Sequence, residues 1–347
     1  MKSKLLLVID KEGWALDNIA KQLKKNLSDY YDIDILPSEI LDDNIIKILI
    51  LSKEYDLVHF FWRGHLSWIK YENSQQYIKE MGINTEEFIR DFISNNNITT
   101  SVYDHMYLND NDFDFTRFVI ECSKSYTVSS KKLKDIYENI SEIKKPKMVI
   151  QDGVDLDLFK PDKLERFKSI ENKILRIGWV GNSKFTDTEN DDDLKGVHKI
   201  LVPAIEELKK EGYAIEEKFA DRNNKMIPHN EMPNYYNSID LYICTSKTEG
   251  TPNPVLESMA CGVPVISTDV GIVPEAFGEK QKEFILEERT KQCLKENIIK
   301  IINNKSILAE LSKENLEQIK KWDWKEMSKK FKNFFDENLK NGEIKNA

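Results

Sequence analysis

The chain has 347 residues, 40% of them apolar, and a formal net charge of −9. That length suits two domains with ordinary cores. Neither half is basic overall, which argues against nucleic acid as a partner and leaves at most weak peripheral contact with an anionic membrane surface.

The opening MKSKLLLVID has too short an apolar run for a signal peptide and reads as a buried first strand. Gly13 follows it in a turn. Next comes an amphipathic helix with Leu16, Ile19, Ala20, Leu23 and Leu27 on one face. LVHFFW (57–62) is a second strand. Asn84 or Thr85 caps a helix carrying Phe88, Ile89 and Phe92. ITTSVY, SYTVS and KMVI continue as strands. DNDFD (110–114) has the spacing of an Asp-x-Asp metal site, but acidic loops produce it by chance, and a divalent cation needs converging oxygen ligands. Around 159–173 the pattern loosens into a polar stretch.

It then restarts with the strand ILRIGWV, a helix over 197–209, and the strands AIEEKF, IDLYICTS and VPVIST. The acidic run 186–195 reads as a solvated loop. The tail is helical, with Trp324, Met327, Phe331 and Phe335 on one face. Strands alternating with helices predict parallel α/β sheets. The expected units are 1–165, 166–322 and a C-terminal helix, 323–347, that packs on the first. Cys122, Cys244, Cys261 and Cys293 are widely separated, a pattern of reduced thiols in the cytoplasm. No run reaches the roughly 18 apolar residues of a membrane span. The expected location is cytoplasmic, at most peripheral at the inner face of the membrane.

Between IDLYICTS and VPVIST lies EGTPNPVLESMACG (249–262). Asn253 suits a helix N-cap, Pro254 the first helical position and Gly262 the stop. Gly250 permits close backbone approach. Glu249 then ends a strand and Glu257 lies inside the next helix. Ligands of open α/β sheets bind at the carboxyl ends of strands. N–H groups near Val255 and Leu256 suit a phosphate, and carboxylates suit the hydroxyls of sugars. A nucleotide-sugar site fits this pattern; so do two surface glutamates on a capped helix.

EGTPNPVLESMACGVPVIST with GIVPE (271–275) resembles the donor-binding segment of glycosyltransferase family 4, retaining enzymes of the GT-B fold. YTVSSKKLKDIY (126–137), VIQDGVDLDLFKP (149–161), Lys195–Gly196, MPNYYNSIDLYICTS (232–246) and Trp324 match further family segments in order. The resemblance covers about 120–280 strongly and the first hundred residues weakly. It implies two facing Rossmann-like domains and transfer of a sugar from a UDP- or GDP-type donor to a glycan or lipid-linked acceptor. Bacterial surface polysaccharide is the expected setting, and no cofactor or metal is expected. The same resemblance implies that Glu249 contacts the donor sugar and Glu257 the ribose. Gly250, Thr251, Pro252, Asn253, Pro254 and Val255 line the donor between them, and Gly13 approaches the diphosphate. Lys195 stabilises the leaving group. Asn182 stands where the family has arginine, and Lys184 is the candidate substitute. His105 with Asp104, or else Tyr103 with Asp104, occupies the place of the family's histidine near the sugar. Arg63 and His65 are acceptor-side candidates. A GT-B sugar-nucleotide epimerase and a catalytically degenerate binding subunit are the alternatives.

Overall fold

The computed structural model describes residues 2–109, 112–169, 174–185 and 193–343. Asp110 of the Asp-x-Asp spacing and most of the acidic run, 186–192, lie outside the described residues. The chain forms two compact units, 1–152 with 324–347, and 153–323. The first unit thus ends ahead of the polar stretch that marks the boundary in the sequence, and the C-terminal helix is part of it.

The first unit has a six-stranded parallel sheet. Its strands are β1 (Ser3–Ile9), β2 (Tyr31–Pro37), β3 (Leu57–Phe60), β4 (Ile98–Val102), β5 (Ser125–Val128) and β6 (Met148–Val149), in the order β2-β1-β3-β4-β5-β6. β1 is central and buried on both faces, so it is a continuous apolar run. β2 lies at the edge and alternates apolar residues with acids. The Ala15–Leu27 helix buries Ile19, Ala20, Leu23 and Leu27 as its spacing dictates, and Asp17 as well. The C-terminal helix, Trp324–Glu343, buries Trp324, Met327, Phe331, Phe334 and Phe335 against β1, β2 and β3. Tyr31 donates from its hydroxyl to Asp336 at 2.5 Å across that seam.

A titratable side chain sits inside the apolar seam. His59 of β3 is fully buried, with Nδ1 2.9 Å from Thr99 Oγ1 and Nε2 3.0 Å from Ser101 Oγ. The rings of Phe61, Phe331, Phe334 and Phe335 surround it. Burial holds its pKa down to about 3, so the imidazole is neutral there.

The second unit has a five-stranded parallel sheet, β7 (Leu175–Gly181), β8 (Ile215–Asp221), β9 (Leu241–Cys244), β10 (Val265–Thr268) and β11 (Ile285–Leu286), in the order β11-β10-β9-β7-β8. From β7 the chain steps to β8 on one side and to β9 on the other. The order therefore reverses between β7 and β9, and the crevice at their carboxyl ends is where such sheets hold ligands. The loops at 181–185 and 245–252 open there. No described helix is long and apolar enough to cross a membrane.

Candidate functional site

The loop after β9 carries Glu249 and leads into the helix Asn253–Ala260, which holds Glu257. The helix starts one residue earlier than its composition predicts. Pro252 is the cap, Asn253 the first helical residue and Pro254 the second, and the Asn253 side chain caps nothing. The Val255 N–H donates to Pro252 O at 2.8 Å, so it is spent inside the turn and is not offered to a phosphate. Asn253 Oδ1 is instead buried with no partner among the described residues. The helix stop is as expected. Gly262 has φ +72°, its N–H reaches Met259 O, and the Val263 N–H reaches Ser258 O, the paired bonds of a Schellman motif.

Close approach at this loop is supplied by Gly271. Its φ is +49°, and a Cβ there would lie 2.0 Å from Gly250 O. Ile272 N–H donates to that same oxygen at 3.1 Å. The GIVPE segment thereby fixes the backbone at Glu249–Gly250 from below. Thr251 and Pro252 are buried in the same loop.

Lys195 meets Glu249 here. Its Nζ lies 2.5 Å from Glu249 Oε1, with the lysine side chain 25% and the glutamate side chain 19% exposed. Burial pulls the Lys195 pKa down, the Glu249 charge and hydrogen bond push it up, and the net shift is upward. The ammonium is fixed as a cation. Its backbone is held on every side. Thr245 Oγ1 donates to Lys195 O at 2.8 Å, Lys247 N–H to Leu194 O at 2.8 Å, and Arg289 Nε to Thr245 O at 2.9 Å. Gly196 has φ +69° and no room for a Cβ beside Thr245 O. Asp193 accepts from the N–H groups of Val197, His198 and Lys199 and so caps the helix that begins there.

The loop after β7 reads Gly181-Asn182-Ser183-Lys184. Asn182 Oδ1 accepts from the Lys184 N–H and from Asn223 Nδ2, while Ser183 Oγ donates to Asp221 at 2.6 Å. Lys184 is exposed at the tip.

Glu257 has two partners that the sequence did not announce. Tyr236 Oη donates to its Oε2 at 2.6 Å, and His229 Nε2 lies 3.3 Å from its Oε1. Both come from the segment before β9, so no local spacing links them to the helix that follows. The hydrogen bond to Glu257 raises the His229 pKa against the opposing pull of burial. A raised histidine stabilises the fold fully below its unfolded value near 6.5 and loses that contribution as pH rises through the folded value. NMR titration of the imidazole is expected to show this upward shift, and Glu257→Gln is expected to return it toward the ordinary range. An unchanged titration in the variant would remove the pairing.

In the first unit Arg63 and Asp104 form an ion pair, Nη2 to Oδ1 at 2.7 Å and Nη1 to Oδ2 at 3.4 Å. Arg63 Nη2 also donates to Met106 O, and Asp104 accepts from the Met106 N–H. Arg63 is 3% exposed. It braces the 104–106 turn from inside instead of meeting an acceptor. That turn presents His105 at the surface. Tyr103 buries its hydroxyl beside the C-terminal helix cluster. His65 is fully buried between Trp62 and Trp68, its ring centroid 4.8 Å from each. Such a side chain cannot touch an acceptor without moving, so its expected acceptor role is withdrawn. Gly13 has φ +78° and open space around it, and its N–H donates to Asp17 Oδ2 at 2.7 Å. Asp114, of the Asp-x-Asp stretch, pairs with Arg117.

Residues 204–321 match the family model for glycosyl transferases group 1. A 72-residue segment is 38% identical to the putative teichuronic acid biosynthesis glycosyltransferase TuaC of Bacillus subtilis, spanning 21% of this chain and 18% of that one. A match to protein CapJ of Staphylococcus aureus is 28% identical over 181 residues, 46% of this chain and 42% of the relative. The chain therefore aligns with less than half the length of these relatives. Among solved structures, sucrose-phosphate synthase from Thermosynechococcus elongatus superposes with TM-score 0.63 at 14% identity, over 97% of this chain and 99% of that one. HepE from Anabaena, solved in complex with UDP and glucose, gives TM-score 0.66 at 14% identity over 96% and 99%. At such identities the likeness is one of fold. The chain has the GT-B fold, built from two parallel-sheet Rossmann-like units.

Proposed function

We propose that the protein is a retaining glycosyltransferase of the family-4 kind, transferring a sugar from a nucleoside-diphosphate donor to a hydroxyl of a glycan or lipid-linked acceptor in bacterial surface polysaccharide synthesis. The observation that carries this reading is the Lys195–Glu249 ion pair at the β7/β9 crevice, with Glu257 eight residues on. An ammonium has three protons and a carboxylate about four acceptor sites. The pair uses one of each. Two protons of Lys195 remain for diphosphate oxygens, and Glu249 keeps acceptor sites for sugar hydroxyls. Glu257 gives one site each to Tyr236 and His229 and retains two, enough for a ribose diol.

In the reaction the bond from the anomeric carbon to the diphosphate breaks while the oxygen of the acceptor hydroxyl forms the new glycosidic bond and its proton passes to the leaving diphosphate oxygen. Negative charge gathers on the leaving diphosphate. Lys195 and the exposed Lys184 supply the countercharge, so the reading calls for no divalent metal. His105, held on the turn that Arg63 and Asp104 brace, is the candidate for the family's histidine in this assignment. HepE, a neighbour of known structure with bound UDP and glucose, supports a nucleoside-diphosphate donor, and TuaC, by its name, supports a role in polysaccharide synthesis.

The decisive experiment screens UDP-, GDP- and ADP-sugars for turnover after exhaustive EDTA treatment. Turnover of one donor class without added metal is expected. Failure to bind or turn over any of them overturns the reading. Restoration only by Mn²⁺ or Mg²⁺ overturns its metal-free form.

Glu257 sets donor affinity in this reading. Glu257→Gln keeps an acceptor for Tyr236 but removes the charge from bonds of roughly 1.5–3 kcal/mol each to the ribose. Calorimetric titration with the cognate nucleotide is expected to show binding about tenfold or more weaker. Equal affinity in the folded variant would take Glu257 out of the site.

A further inference from the structure

The first unit carries a concavity apart from the site described above. It holds about 600 Å³ and is walled by Trp68, Tyr71 and Tyr77, with Asp42, Asp43 and Glu80 at its rim. That size is typical of small-ligand sites. It is formed by the segments that leave the carboxyl ends of β2 and β3, the end of the sheet at which open α/β folds bind ligands.

Trp68 packs against the core, and the two tyrosines stand clear of it. Tyr71 is 59% and Tyr77 43% exposed, and Trp62, packed edge-on against Trp68 at 5.5 Å, is 39% exposed. Leaving such surface in water is unfavourable unless something covers it. Tyrosine and tryptophan offer rigid, amphipathic faces at low entropic cost. His65 packs against the wall. It lies behind the two indoles, and neither ring nitrogen has a partner among the described residues. A phenyl ring would fill that space without the cost of burying two polar atoms.

The rim is acidic. Asp42 pairs with Lys47, which also lines the concavity, at 3.3 Å, and Asp43 and Glu80 form no ion pair among the described residues. Asp43 accepts from Ser38 Oγ, and Glu80 from Gln76 Nε2. Each carboxylate keeps further acceptor sites. Asp42 and Asp43 are held consecutively at φ +57° and +52°, a backbone state that costs free energy for any residue but glycine. Flat aromatic faces next to carboxylates and side-chain amides suit sugar rings, whose C–H faces stack while their hydroxyls donate. Two uncompensated carboxylates repel an anionic chain.

We propose that this concavity binds a glycan whose residues are neutral or amino-substituted, and that it excludes uronic-acid and phosphate-bearing chains. The proposal rests on the glycosyltransferase reading and names the class of its acceptor. The aromatic wall is the recognising element, in place of Arg63 and His65.

The full chain is applied to an immobilised oligosaccharide panel spanning neutral, amino-substituted and uronic-acid sugars. Neutral or amino-substituted members are expected to bind. Tyrosines that become desolvated anchors on binding cost tenfold or more when truncated, so the double variant Tyr71→Ala, Tyr77→Ala is expected to weaken binding by at least that factor. Both side chains are exposed, so melting temperature and nucleotide affinity are expected to stay at parent values. Glu80→Lys is expected to admit uronic-acid members. Binding to no member, preference of the parent for uronic acids, or parent-like binding by the double variant overturns the proposal. Nucleotide titration on the same sample separates the two readings. A chain that binds nucleotide but no glycan refutes this site alone. A chain that binds glycan through Tyr71 and Tyr77 but no nucleotide refutes the donor reading and leaves the glycan site standing.

Discussion

Lys195→Ala is expected to lower kcat by about 10²–10³ with a much smaller change in donor KM. Charge on the leaving diphosphate grows as the glycosidic bond breaks, so a fixed cation gains most in the transition state. Removal of one donor to a developing oxyanion costs on the order of 10²–10³ in turnover in other enzymes. The geometry supports a comparable effect. The ammonium is preorganised by Glu249 at 2.5 Å, its backbone is pinned through Thr245 and Arg289, and Gly196 next to it admits no side chain. Little of the lost interaction can be recovered by a neighbour moving in. Lys195→Arg keeps the charge but not the compact point donor, so it is expected to recover part of the rate. Lys184 lacks such support at its exposed loop tip. Lys184→Ala is expected to cost less than Lys195→Ala, and a near-normal rate would leave Lys195 as the principal cation. Steady-state kinetics on folded variants decide the matter. If Lys195→Ala keeps its kcat and loses only affinity, the lysine binds the ground state and the leaving-group assignment fails.

The opening strand and the β9-to-β10 segment were legible in the sequence because their signals are local. LLLVID and IDLYICTS are apolar runs of strand length, and Gly262 can only be a helix stop at φ +72°. β2 goes unpredicted although YDIDILP alternates with period two, since its acids resemble the surrounding loops. β11 is two residues long and has no pattern to detect. The start of the Asn253–Ala260 helix was misplaced by one residue, because the Pro252 carbonyl takes the capping role that Asn253 suits by composition. Glu249, Glu257 and Lys195 were singled out as residues. Their partnerships were not, because Lys195–Glu249 and Glu257–His229 join segments separated by a strand or more. Arg63 and His65 are candidates for the acceptor cleft because they follow a strand of the first unit. Tertiary packing buries both, one against Asp104 and one between two indoles.

The first unit is expected to be most stable near pH 6.5 and to weaken on either side, through three buried groups. Burial lowers His59 to about 3 and His65 to about 4, and raises Asp152 to about 8. All three are almost fully shielded from water. The unfolded chain titrates near 6.5 for histidine and 3.9 for aspartate. Between pH 6.5 and 4 the unfolded chain binds two histidine protons that the folded unit refuses, while the folded unit holds one Asp152 proton that the unfolded chain has lost. The unfolded state is ahead by one proton, so stability falls with falling pH. The slope is about 1.4 kcal/mol per pH unit, or about 3 kcal/mol by pH 4. That is a large share of the roughly 5–15 kcal/mol that holds a domain together. Asp10, also raised by burial, adds to the folded state's uptake only at the acid end of the window. Between pH 6.5 and 8 the histidines are neutral in both states and Asp152 alone counts. There the folded state is ahead by one proton, and stability falls as pH rises. Two variants separate the contributions. His65→Phe removes one refused proton and is expected to flatten the acid limb. Asp152→Asn is expected to double the slope of the acid limb and flatten the alkaline one. Urea unfolding at a series of pH values, followed through the tryptophans of the first unit, reads both. An acid limb that keeps its slope in His65→Phe, or an alkaline limb that survives Asp152→Asn, would show that these groups titrate normally in the fold and that the buried histidines are not its acid-sensitive element.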